Sequence, residues 1–277
     1  MLARTLKYLL GSTGQSGFGS SSTANEVTTA AASATDLRSL TAIITGATSG
    51  IGLETASVLV AHGVRLILAG RNRDVAEESR LHLASSYPDC EIIVFHLDLG
   101  SLSSVRSFVS QFLALGLPLN LLINNAGRFV YEQAVSEDGI ELTFATNYLG
   151  HFLLTKLLLE KMAETARESG IEGRIVNVSS GSHRCRYDAG RAYGLSKLAM
   201  VMHTKEMARR LKRLTQAAAT TCYVAVHPAM SGVSGKYYAD CNMVETSNCE
   251  EEAEARLWCE SEAMIHAAEE RAGEETE

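Results

Sequence analysis

Proline is scarce in this sequence, at 3 of 277 residues; aromatics make up only 6%, and tryptophan occurs once. Hydrophobic residues nevertheless reach 46%, alongside 22 glycines. That combination excludes disorder of the whole chain and suits a globular α/β core rich in Val, Ile, Leu and Ala. No apolar run approaches the roughly 20 residues needed to span a bilayer, so no transmembrane segment is expected. Cysteine pairs of the C-x-x-C type are also missing, since Cys90, Cys185, Cys222, Cys241, Cys249 and Cys259 lie far apart. No metal site or dithiol redox centre is signalled, and reduced thiols are the expectation.

The first 25 positions lack acidic residues; Arg4 and Lys7 are their only charges, and Ser, Thr and Gly dominate Gly11 to Thr23. Such a stretch fits an organelle transit segment and equally a flexible arm, and residues 1–38 are set apart on that ground. Acid gathers at the other end. Residues 245–277 hold 12 Glu against Arg256 and Arg271, giving that helix or tail a charge of −10 and the rest +3, for the net −7. A nearly balanced body gives no electrostatic reason to expect nucleic-acid binding.

Between these ends, over 39–244, short β-branched runs alternate with helical patterns. Thr41–Thr45, Val64–Leu68, Glu91–Phe95, Leu119–Ile123 and Arg174–Val178 read as strands, each followed by a helix candidate. Alternation of this kind implies right-handed crossovers and a parallel sheet covered on both faces. The expected fold is therefore a doubly wound α/β sheet of the Rossmann type, with ligands bound outside the carboxyl ends of the strands.

Motifs cluster at those ends. Thr45-Gly46-Ala47-Thr48-Ser49-Gly50-Ile51-Gly52 follows the first strand and opens a helix. Glycines there let the backbone turn tightly beside a pyrophosphate, while unpaired N–H groups at the helix N-terminus favour anions. After the second strand the chain reads Gly70-Arg71-Asn72, where a site preferring NAD(H) would place an acid for the ribose 2′-hydroxyl. Arg71 can instead pair with a 2′-phosphate, which favours NADP(H); a solvated surface charge is the alternative.

Tyr193 and Lys197 are four apart in a segment whose Met200, Thr204, Met207 and Leu211 keep helical spacing, so the two polar heads share a face. An ammonium beside a phenol favours the phenolate, as a general acid/base requires.

With Asp98-Leu99, Asn124-Asn125-Ala126-Gly127, Asn147 and Ser179-Ser180 in order between these two motifs, the sequence resembles the short-chain dehydrogenase/reductase family. Flanking text such as Phe144-Ala-Thr-Asn-Tyr-Leu-Gly-His-Phe-Leu-Leu154 is similar to its plant retinol-dehydrogenase-like branch, which includes chloroplast Tic-type dehydrogenases. The resemblance implies hydride transfer between NADP(H), less readily NAD(H), and a small carbonyl or alcohol substrate. Tyr193 would exchange the proton, Ser180 would hydrogen-bond the reacting oxygen, Lys197 would hold the nicotinamide ribose, and Asn147 would orient the lysine through water. Gly46, Thr48, Ser49, Gly50, Ile51, Gly52, Arg71, Asn72, Asp98, Leu99, Asn125, Ala126, Gly127, Tyr193 and Lys197 would contact the cofactor, with Asn124 also lining the cleft. It also implies a homo-oligomer, built through the helices flanking the active site, and a chloroplast or cytoplasmic location.

The same resemblance implies a further strand, a Pro-Gly turn, a substrate-covering segment, a helix and a last strand after the lysine helix. Only about thirty residues separate Leu214 from the acidic tail, fewer than those elements need. One alignment makes Thr221–Met230 the sixth strand and turn. The other, preferred here, makes Gln216–Ala225 the late helix and Ser234–Cys241 the final strand, with the sixth strand and substrate cover absent. Thirteen residues from Ser180 to Tyr193, short for this branch, suggest a second deletion. Turnover is accordingly weighed against a dinucleotide-binding regulatory or inactive truncated form. His151, His183 and His227 lack ligand spacing, the Asn177-Val178-Ser179 sequon ends a buried strand, and Trp258 is expected to be a helix contact.

Overall fold

A computed structural model describes residues 13–32, 36–129, 132, 134–180, 191–210, 221–239, 241–244 and 251–274. Five strands, β1 (Thr41–Thr45), β2 (Arg65–Gly70), β3 (Ile92–His96), β4 (Leu121–Asn124) and β5 (Arg174–Asn177), form a parallel sheet in the order β3-β2-β1-β4-β5. All five lie within two residues of their expected bounds. Because β1 is flanked by β2 on one side and β4 on the other, the crossovers diverge from it and open a crevice at its carboxyl end.

The central strands β1, β2 and β4 bury both faces, while the edge strand β3 is only half-buried, and alternate residues serve different cores. Ala42 and Ile44 of β1, Leu66 and Leu68 of β2, and Leu121 and Ile123 of β4 point to one side. There they meet α1 (Ala24–Ala32), α2 (Gly50–Ala61), α3 (Arg73–Ser86) and the short α7 (Thr221–Val226) through Val27, Leu59, Leu83 and Val224. Ile43, Ile67 and Leu122 point to the other side, against Phe108 and Phe112 of α4 (Leu102–Ala114), Phe152 and Leu158 of α5 (Gly150–Ser169), and Met200 of α6 (Arg191–Arg210). Helix starts are chemically marked: Asn72 accepts from Asp74 N and Val75 N at α3, and Ser101 accepts from Ser104 N at α4.

Helix α8 (Glu251–Glu274) completes the second face. Its Trp258 stacks on His203 of α6 with ring centroids 5.4 Å apart, meets Phe152 of α5 edge-on at 4.9 Å, and carries the Arg210 guanidinium over its own ring. The tryptophan is thus a helix contact, as expected. Glu254, almost fully buried, accepts from both terminal nitrogens of Arg209, and the Tyr148 hydroxyl lies 2.8 Å from that of Ser261. No helix among the described residues is long and apolar enough to cross a membrane.

Beyond α6 the structure decides between the two alignments and corrects both in part. Thr221–Val226 is helical, as the preferred reading has it; Gln216–Thr220 lie outside the described residues. Arg174 of β5 donates to the carbonyls of Ala225 and His227, fastening the end of α7 beneath the sheet. The expected final strand forms only as β6 (Tyr237–Ala239), which pairs antiparallel with β7 (Asn242–Val244) and never joins the main sheet. Cys241, at φ 59°, turns the chain back on itself, so β6 finds its partner two residues away rather than at β5. Among the described residues no sixth strand joins the parallel sheet.

Candidate active site

The crevice at the carboxyl ends of β1, β2 and β4 is an open cleft of about 570 Å³. Gly46, Thr48, Ser49, Ile51 and Gly52 line it on one side, Arg71, Asn72, Asp98 and Leu99 at one end, and Asn125, Ala126, Gly127 and Phe129 on the other side. Backbone geometry explains two of the glycines. Gly46 sits at φ +65°, and a Cβ there would press on the Ala126 Cα at 2.9 Å. A Cβ on Gly52 would run into the Gly46 carbonyl and the Asn125 amide.

Asn125 fastens the turn to β4, its Nδ2 donating to the carbonyls of Thr45 at 2.9 Å and Gly46 at 3.2 Å. The Thr45 hydroxyl accepts the Asn125 and Ala126 backbone N–H groups, both at 3.0 Å. At the start of α2, Ser49 makes no side-chain capping bond, so the first-turn N–H groups are left for an anion in the cleft. Exposed Arg71 lies on the same cleft. A helix N-terminus, a glycine turn and a guanidinium around one crevice fit a dinucleotide carrying several phosphates.

Lys197 and Tyr193 are brought together one helical turn apart on α6. The lysine is 3% exposed, donates to the Val178 carbonyl at 3.0 Å, and lies 5.7 Å from the centre of the Tyr193 ring. Burial pushes its ammonium down to about 8. A Cβ on Gly127 would stand 3.4 Å from Lys197 Nζ, so the ammonium packs directly against this glycine of the cleft wall. Ser179 Oγ donates to the Lys197 carbonyl at 2.9 Å, holding the end of β5 against α6; Ser180 follows it, half-buried.

Asn147 sits in a π-helical turn, Ala145–Leu149, fully buried. Its Oδ1 accepts from Arg128 N at 2.7 Å, and its Nδ2 donates to Arg128 O at 2.9 Å and Ser196 Oγ at 3.2 Å. The direct bonds of its side chain thus run to the loop after β4 that carries the cleft wall and to the residue before Lys197. Asn72 commits its Oδ1 to the cap of α3, and Asp98 Oδ1 accepts from Gly100 N at 2.8 Å. Asn124 is not a cleft residue: it is buried, donating to Thr155 and Asn177, because its side chain falls on the α5 face of β4.

Phe129, two residues beyond the Asn-Asn-Ala-Gly run, was not anticipated; its ring lies 5.6 Å from that of Tyr193 and is 42% exposed. Nothing in the local sequence distinguishes it from a buried strand-end aromatic. His151 and Thr45 form a second unanticipated contact beneath the cleft, at 2.8 Å. His183 lies outside the described residues, and His227 accepts from Ala229 N in a short turn.

The family model described as short chain dehydrogenase matches residues 40–232. The chain belongs to the short-chain dehydrogenase family. Membership places it among oxidoreductases that use a nicotinamide dinucleotide, and it falls in the Tic-type branch: it is 45% identical to the short-chain dehydrogenase TIC 32 B, chloroplastic, of Brassica napus, over 86% of this chain and 90% of that protein. Retinol dehydrogenase 11 of Mus musculus is 43% identical over 68% of this chain and 60% of its own length. A crystal structure of an uncharacterized Mycobacterium paratuberculosis protein covers 84% of this chain and 96% of that one, at 29% identity and a TM-score of 0.65. The Brassica alignment runs over 293 positions, which 86% of a 277-residue chain cannot fill. That dehydrogenase therefore carries internal stretches with no counterpart here, as the short interval after α6 implies.

Proposed function

We propose that this short-chain dehydrogenase is an NADP(H)-dependent reductase or dehydrogenase of small carbonyl or alcohol substrates. The observation that carries the reading is the buried Lys197 ammonium, held between the Val178 carbonyl and the Tyr193 ring, next to Gly127 of the dinucleotide cleft. Beside that cation, the Tyr193 hydroxyl gives or takes the proton of the reacting oxygen. Ser180, at the end of β5, hydrogen-bonds that oxygen, and Asn147 keeps Arg128 and Ser196 in register with Lys197. The cofactor supplies the hydride when bound.

Gly46, Thr48, Ser49, Gly50, Ile51 and Gly52 hold the diphosphate, Asp98 and Leu99 the adenine side, and Asn125, Ala126 and Gly127 the opposite wall. Arg71, with Asn72 beside it, meets the 2′-phosphate and sets the preference for NADP(H). The chloroplastic description of the Brassica relatives supports a chloroplast location. A second reading, cofactor binding without turnover, is favoured by one observation: the parallel sheet ends at β5, so the described residues provide little cover for a substrate above Tyr193.

Tyr193→Phe separates the two. Under the first reading it lowers NADPH-dependent reduction of an aldehyde and ketone panel by about 10²–10⁴-fold while NADPH affinity stays within a few-fold. Wild-type protein that binds NADPH and reduces nothing favours the second reading.

A further inference from the structure

Beneath the cleft, His151 of α5 is 1% exposed and touches two elements that the cofactor and the reacting groups depend on. Its Nε2 is 2.8 Å from the hydroxyl of Thr45, the last residue of β1, and its Nδ1 is 3.2 Å from the backbone carbonyl of Asn147 in the π-helical turn. A carbonyl can only accept, so the proton must be on Nδ1; Nε2 is then a bare acceptor and the Thr45 hydroxyl must donate to it. That leaves the two lone pairs of the Thr45 oxygen for the N–H groups of Asn125 and Ala126, both of which point at it. Every donor and acceptor of the group is matched in one arrangement alone. The competing acceptor for the Thr45 hydroxyl, the Ile123 carbonyl, is at the 3.5 Å limit.

We infer that His151, locked as the neutral Nδ1–H tautomer, is a positioning residue that couples the dinucleotide cradle to the Asn147 turn. On one side its acceptor fixes the Thr45 hydroxyl and through it the two amides that begin the cleft wall. On the other it holds Asn147, whose side chain anchors Arg128 and Ser196, the neighbour of Lys197. Burial supports the neutral form, holding the imidazole far below its usual range at about 3. The lysine ammonium and the His203 ring, which also face this pocket of the core, add to that effect. A neutral, single-tautomer ring keeps its hydrogen-bond polarity constant, so cradle and turn stay in one register as the solution pH changes.

This inference rests in part on the proposed use of NADP(H), and its test has one arm that does not. Histidine-ring nitrogen NMR on the full chain should show His151 neutral with its proton on Nδ1 throughout about pH 5 to 8, against the Nε2–H form and the titration near 6.5 usual for a solvated ring. An Nε2–H tautomer, or a ring that titrates in that range, overturns the inference whether or not the protein binds cofactor. The second arm is a double-mutant cycle on NADPH affinity with His151→Leu and Thr45→Val, read alongside the Tm of each variant. Each single change should weaken NADPH about tenfold, the scale of one buried hydrogen bond, with the double variant no weaker than the worse single. Thr45→Ser, which keeps the hydroxyl, should recover most of the Thr45→Val loss. Losses that add in full, or variants with lowered Tm and unchanged affinity, would reduce His151 to a core-packing residue. Wild-type protein that binds no NADPH would instead refute the proposed function and leave the tautomer result to decide the coupling.

Discussion

The first five strands and the region after α6 obey different rules. In the sheet, each strand is a β-branched run bounded by helical pattern, and the order β3-β2-β1-β4-β5 joins sequence neighbours except for the one long crossover from β3 to β4. After α6, a one-and-a-half-turn helix and a hairpin of two three-residue strands replace a full crossover, and the outer helix α8 docks by side-chain chemistry: Trp258 on His203, Glu254 on Arg209, Tyr148 on Ser261. The cofactor cradle thus belongs to a region built by repetition, and the outer helix α8 to one held by individual contacts. Loss of stability and loss of binding should accordingly separate by region.

The largest effect should come from Trp258→Ala. Removing this ring from between Phe152, His203 and Arg210 should cost about 3–5 kcal/mol in urea unfolding. NADPH affinity of the folded fraction should stay within a few-fold, because no cradle residue touches the tryptophan; a large affinity loss would show that the two regions are coupled. Gly52→Ala should do the reverse. Its new Cβ meets the Gly46 carbonyl and Asn125 amide, so about 1–3 kcal/mol of stability goes together with most of the dinucleotide binding. Retained affinity in Gly52→Ala would mean the turn is softer than its packing indicates.

The smallest effect has the opposite sign. Lys197 has its folded pKa depressed from 10.5 to about 8, so below pH 8 both states carry the charge and the folded state bears the cost of burying it. That cost disappears as pH rises from 8 through 10.5. Lys197→Met should therefore be more stable than wild type by about 1–2 kcal/mol at pH 7, net of the lost Val178 hydrogen bond, with the gap closing by pH 10.5. A gap that widens with pH would contradict the burial. A lysine that lowers stability where it sits suggests retention for what it does at the cleft.

Much of this architecture was legible because its signals are local. Thr45 to Gly52 needs glycine where φ is +65° at Gly46 and where Gly52 meets a carbonyl, and both requirements show directly in the residue types. Tyr193 and Lys197 share a face because helical spacing demands it. What stayed hidden depends on partners far along the chain. The misplacement of Asn124 in the cleft arose because a four-residue strand gives no sign of which face its last side chain takes. His151 could be read as a buried structural histidine, yet its bridge from Thr45 to Asn147 exists only once α5 lies under β1. The final strand lies outside the main sheet for a related reason. Tyr237–Ala239 has strand composition, but composition does not choose between a distant edge and a partner two residues away.

The most direct test of the account is a fluorescence titration of the purified chain with NADPH and NADH, repeated with Arg71→Ala. Wild-type protein should bind NADPH at least about tenfold more tightly than NADH, the scale of one charge-assisted contact, and Arg71→Ala should erase that difference by weakening NADPH alone. Equal affinity for the two cofactors would contradict the role of Arg71, and binding of neither would contradict the cleft at the end of β1 as a dinucleotide site.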